Sequence, residues 1–76
     1  MAARTCYYTN ESFFERDSQQ YVVALITENE AGYEPTDTYR ELGEAIRIAD
    51  KQNAELGLSA DDVSQIVTSS MRLSQR

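Results

Sequence analysis

Histidine and tryptophan are absent from this 76-residue chain, which holds one cysteine, one proline and three glycines. Each shortage closes off some chemistry. Without histidine there is no Ser-His or Cys-His pair to raise a nucleophile at neutral pH. The lone Cys6 can form no internal disulfide, which fits a reducing cytoplasm. It stands beside Tyr7 and Tyr8 in a strand-favouring run and reads as a small core residue. Arg4 is the one nearby charge that would lower its pKa, and a buried, inert thiol is the expectation. No stretch reaches the ~18 apolar residues of a membrane span. No apolar run follows Met-Ala-Ala-Arg, so a secretory signal is not expected either. The scattered glycines make no phosphate-cradling loop, and Glu28 and Glu30 lack calcium-loop spacing. No catalytic residue, metal site or cofactor is expected, and the chain reads as a non-enzyme.

Negative charge is what the chain has in excess. Thirteen acids against seven bases leave a net charge of −6. Such a molecule repels phosphate and makes a poor direct ligand for nucleic acid. It suits a basic surface, including one that otherwise holds nucleic acid. Acidity that merely keeps a protein soluble gives the same composition. The charge is also uneven. Residues 1–38 hold Glu11, Glu15, Asp17, Glu28, Glu30, Glu34 and Asp37 against Arg4 and Arg16. Residues 39–76 are nearly balanced, with no acid after Val63 and with Arg72 and Arg76 at the end.

The one segment that must go inside is residues 21–26, Tyr-Val-Val-Ala-Leu-Ile. Four of the six are β-branched or aromatic, which favours an extended chain. Both alternating sets, Tyr21, Val23, Leu25 and Val22, Ala24, Ile26, are apolar, so a central strand over residues 20–28, needing cover on two faces, is predicted. A first strand is predicted over residues 3–9. The polar stretch 11–20 carries Phe13 and Phe14, one expected to anchor in the core and one to lie over the sheet edge. Gly32 closes a hairpin loop after Glu28-Asn29-Glu30-Ala31. The return strand, residues 33–39, contains Pro35, which places it at an edge.

From Leu42 the apolar period changes to 3.6. Leu42, Ala45, Ile46, Ala49, Asn53 and Leu56 share one face of a helix over residues 42–56, with Gly57 as its C′ residue. Ser59 then caps a second helix over residues 60–71, with Asp61 and Asp62 in its first turn and Val63, Ile66, Val67 and Met71 as its apolar stripe. Residues 72–76 are expected to fray. The predicted fold is therefore one small α+β domain: a three-stranded antiparallel β-meander followed by two α-helices packed on one face. The core rests on Leu25 and on Ala45, Ile46, Ala49 and Leu56. A domain this short buries only about 60% of its unfolded surface. With helices on one face, a homodimer through the other face or through an unpaired edge is expected.

The order of motifs carries a resemblance. Residues 21–28 are followed by Gly32-Tyr33-Glu34-Pro35-Thr36, Leu42-Gly43-Glu44-Ala45 and Asn53-Ala54-Glu55-Leu56-Gly57-Leu58-Ser59. The last marker is Asp61-Asp62-Val63 with Ile66-Val67-Thr68-Ser69-Ser70-Met71. Over residues 21–72 this resembles small hypothetical proteins of actinobacterial phages and integrated mobile elements. The resemblance implies a mobile-element origin and an accessory role, and it assigns no activity. Phage accessory proteins of this size and acidity often bind host machinery, anti-CRISPR proteins among them. By that analogy of size and charge, inhibition of a nucleic-acid-binding host system is expected.

The expected function is binding of another protein through an acidic, tyrosine-bearing surface. Glu28, Glu30, Glu34 and Asp37 would steer a basic partner, and Tyr33, Tyr39 and one of Tyr7 or Tyr8 would supply contact area. The alternative is weak nucleic-acid binding through the second helix and basic tail, with Arg72 and Arg76 on phosphates. Two arginines beside a −6 molecule would neutralise only a phosphate or two.

Overall fold

A strand that is apolar on both faces needs neighbours along both edges and cover above and below. The computed structural model, which describes residues 3–74, provides each of these. In chain order the elements are β1 (Thr5–Tyr8), β2 (Phe14–Glu15), β3 (Gln20–Thr27), β4 (Glu34–Tyr39), α1 (Leu42–Glu55) and α2 (Ala60–Ser74). The class is α+β, with a four-stranded antiparallel sheet and two helices. Every other strand pairs with β3.

The sheet differs from a plain three-stranded meander because its first strand is split. β1 pairs with Ala24–Thr27 of β3, and β2 pairs with Gln20 and Tyr21 further along the same strand. Residues 9–13 loop out between them. Val22 bridges the gap: its amide donates to the Phe13 carbonyl at 2.7 Å, and its carbonyl accepts the buried Thr9 hydroxyl at 2.8 Å. β1 and β2 thus run end to end along one edge of β3, and β4 takes the other. Five residues in the place of two leave Phe13 free to fold over the sheet. There its ring meets Tyr8 and Tyr33 edge-on, at 5.9 and 4.9 Å between centroids. Phe14, 38% exposed, lies against Tyr21.

The placement of the helices on one face is corrected: they take opposite faces. Val23 is buried with Ala45 and Ala49 of α1, flanked by Tyr7, Tyr21 and Tyr39. Ala24 and Ile26 are buried with Cys6 and with Ile66 and Val67 of α2, flanked by Tyr8, Phe13, Leu58 and Val63. Successive strand residues point to opposite faces, so the two clusters lie on the two sides of β3. Each of its apolar sets has its own helix. The uncovered face that motivated a homodimer is therefore occupied by α2. The open edge of β4 carries Pro35, two acids and a bulge opposite Val23/Ala24, all of which oppose edge-to-edge pairing.

Helix α1 contacts the sheet along the row Ala45, Ala49, Asn53, all buried. Ile46 and Leu56, expected in the core, are 40% and 54% exposed. The reason lies in Asn53. Its side-chain oxygen accepts the Tyr7 amide at 2.7 Å and its side-chain nitrogen donates to the Tyr7 carbonyl at 2.8 Å. This amide completes the outer edge of β1 as a neighbouring strand would. Holding Asn53 there sets the helix rotation and turns Ile46 and Leu56 outward. Alanines at 45 and 49 let the helix approach Val23 closely.

Between the helices the chain passes around the β1 edge. Gly57, at φ +78°, closes α1: its amide donates to the Ala54 carbonyl and the Leu58 amide to the Asn53 carbonyl. Ser59 opens α2 reciprocally, its hydroxyl accepting the Asp62 amide while its own amide donates to the Asp62 carboxylate. Helix α2 continues past Met71 to Ser74, so residues 72–74 are helical rather than frayed. Among the described residues no helix is long and apolar enough to cross a membrane.

Candidate functional site: the acidic hairpin

The loop joining β3 to β4 is fastened to the last turns of α2 by three serines. The Asn29 amide donates to the Ser69 hydroxyl at 3.0 Å. The buried Ser70 hydroxyl donates to the Glu30 carbonyl at 2.6 Å, and the Gly32 amide donates to the Ser74 hydroxyl at 3.1 Å. Asn29 and Gly32 both adopt positive φ, at 61° and 83°, which asparagine and glycine tolerate best. Main-chain groups of residues 29, 30 and 32 are thereby tied to α2.

The acids on this hairpin divide into two sets. Glu28 belongs to a structural cluster at its base. Arg4 pairs with Glu28 through two bonds, Nη2 to Oε2 at 2.6 Å and Nε to Oε1 at 3.2 Å. The same guanidinium reaches Asp62 at 3.1 Å and the Gln65 side-chain oxygen at 3.2 Å. Arg4 thus ties the start of β1 to the hairpin base and to the first turns of α2. Its hydrogen bond holds the Glu28 carboxyl below the usual range, and the Arg4 pKa is raised in turn. Asp62 is also held low, first by the Ser59 amide, with Arg4 adding to it. Glu28 is consequently withdrawn from the predicted docking set, because its charge is matched within the fold.

Glu30, Glu34 and Asp37 form the other set, exposed and without a paired base among the described residues. Glu34 and Asp37 stand opposite Leu25 and Val23, on the α1 face. Helix α1 contacts β4, Val23 and β1 but does not line the corner of this face near the hairpin. An open notch of about 250 Å³ remains there, lined by Leu25, Thr27, Glu30, Ala31, Gly32, Tyr33 and Glu34. Three of the predicted site residues, Glu30, Tyr33 and Glu34, meet at this notch. Asp37 lies further along β4. Tyr39 is half-buried in the α1 cluster and contributes to the core. The Tyr33 ring is 54% exposed and rests against Phe13, on the opposite face from Leu25.

The remaining candidates lie elsewhere. Arg72 is exposed in the last turn of α2, beside a shallow depression lined by Ser64, Gln65, Thr68 and Ser69. Arg76 lies outside the described residues. Cys6 is fully buried, and burial pushes its thiol up to about 11, which disfavours the reactive thiolate at neutral pH. Asn53, the α2 serines and Arg4 were not legible as partners from sequence. The one available signal was a polar residue, Asn53, on an otherwise apolar helical face. No protein-family model matches the chain, and neither a curated protein nor a solved structure matches it.

Proposed function

We propose that the protein is a non-enzymatic binder of another protein, docking through the outer face of its β3–β4 hairpin. The observation that carries this reading is the pairing of free charge with a fixed frame. Glu30, Glu34 and Asp37 are exposed acids with no base paired to them among the described residues, and serines of α2 hold the loop that bears Glu30. A fixed loop loses little conformational freedom on binding, and unpaired acids steer a basic surface towards it. Pro35 and the bulge in β4 oppose addition of a further strand, so recognition runs through side chains on the face. The partner is a protein with a basic surface, of the kind that also holds nucleic acid. In the mobile-element setting that the resemblance implies, this would be a nucleic-acid-binding host system. Among the described residues the rival nucleic-acid reading has one arginine on α2, Arg72, against three exposed, unpaired acids on the hairpin.

The test is a pull-down from cytoplasmic extract at low and moderate salt, using wild type and a triple variant (Glu30→Gln, Glu34→Gln, Asp37→Asn). A basic protein retained by wild type and released by the triple variant supports the reading. Recovery of nucleic acid at moderate salt, dependent on Arg72 and indifferent to the triple variant, reverses it.

A further inference from the structure

The corner of the sheet that α1 leaves open combines features which together specify one kind of occupant. Its floor is Leu25, an apolar side chain of the central strand that is only half-buried although it lies between Val23 and Thr27 on the covered face. Its lining includes Glu30 on the loop and Glu34 at the start of β4, and among the described residues no base lines it. Its remaining wall is Ala31, Gly32 and Tyr33, in the segment that Ser70 and Ser74 fix in place. The volume of about 250 Å³ falls below the roughly 300–1,000 Å³ typical of small-molecule and cofactor pockets. It is large enough for a single long side chain.

Resting on the reading of this hairpin as a protein-docking face, we propose that the notch receives an arginine side chain of the partner protein. The methylene stem would cover Leu25 and Ala31, as long basic side chains do over apolar surface. The guanidinium would lie between the Glu30 and Glu34 carboxylates. Arginine suits a pair of carboxylates better than lysine because its planar fork presents five donors and can serve two acceptors together, whereas an ammonium is a compact point charge. The only arginine that is ion-paired among the described residues, Arg4, serves Glu28 and Asp62 and does not line the notch.

The experiment is a titration of the isotope-labelled protein with Nα-acetyl-arginine amide, followed by amide shifts in NMR spectra. The citrulline and lysine counterparts serve as second and third probes. Saturable shifts confined to residues 30–34 and Leu25 are expected, on the order of millimolar for so small a ligand. Citrulline, which lacks the charge, should bind roughly tenfold more weakly or not at all, and Glu34→Gln should have a similar effect. Glu44→Gln, on the exposed side of α1, should leave the arginine titration unchanged. Shifts spread over residues 11–17 and 41–50, a citrulline or lysine response equal to that of arginine, or an indifferent Glu34→Gln would each overturn the assignment. Should the pull-down still lose its partner in the triple variant, the docking face stands and only the arginine notch falls.

Discussion

Replacing Asn53 with alanine isolates the contact that closes the outer edge of β1. The side-chain amide makes two bonds to the Tyr7 main chain, at 2.7 and 2.8 Å, from a residue that is only 4% exposed. Truncation leaves one N–H and one C=O without partners, and each such group costs about 1–3 kcal/mol when water cannot replace the lost bond. Tyr7 is half-buried, so water offsets part of that loss, and about 2 kcal/mol is the expected net. A 76-residue domain has roughly 4–11 kcal/mol of total stability, so the loss is a large share of it. With a urea slope of about 1 kcal/mol/M for a protein this small, the unfolding midpoint should fall by ~2 M. Hydrogen exchange at the Tyr7 amide should accelerate more than at Val23, whose partners lie within the sheet. Asn53→Asp keeps the acceptor but loses the donor, and should also be destabilised. An Asn53→Ala midpoint within ~0.3 M of wild type, with Tyr7 still protected, would refute the edge-closing role and the account of the α1 rotation built on it.

Two further outcomes are expected. Ile66→Ala should cost about 2–5 kcal/mol because its side chain is fully buried under the sheet, whereas Ile46→Ala, 40% exposed, should cost less than about 1 kcal/mol. Calorimetry of the two variants checks this, and a larger loss at Ile46 would mean the helix is rotated otherwise. Arg4→Met should remove a pH-dependent part of the stability. The Glu28 pKa is lowered in the fold, so the contribution is complete above the unfolded-state carboxylate range and is lost as the pH falls through the lower folded value. Melting temperatures of wild type and Arg4→Met should therefore converge on acidification, and curves that stay parallel from pH ~7 to ~2 would contradict the ion-pair assignment.

The elements themselves were legible because their signals are local. Two apolar sets in residues 21–26 announced a strand covered on both sides, and Gly57 and Ser59 marked the helix boundaries through backbone and capping chemistry. What was not legible depends on which face each element chooses. The stripe on α1 was broad enough to admit several rotations. A contact 46 residues away in sequence, between Asn53 and Tyr7, decided among them. The same is true of the helix faces: residues 56–59 are long enough to round the β1 edge, but no residue in them announces that they do. The candidate site was half legible. Exposed acids on a hairpin can be read from sequence, but the Arg4 partnership that removes Glu28 joins residues from β1, the hairpin and α2. The split between β1 and β2 had a similar cause, since residues 9–13 carry no glycine or proline to mark a loop.

The route of the chain around the β1 edge has a consequence for biosynthesis. The strands and α1 are made first, and together they can bury only one side of β3. Cys6, Ala24 and Ile26 then face water until α2 emerges to meet them through Ile66 and Val67. The same late helix supplies the serines that fasten the hairpin. Until α2 docks, that apolar face has no cover and the acidic loop no fastening. Both are resolved by one event, the docking of α2, which covers the apolar face and fastens the acidic hairpin together.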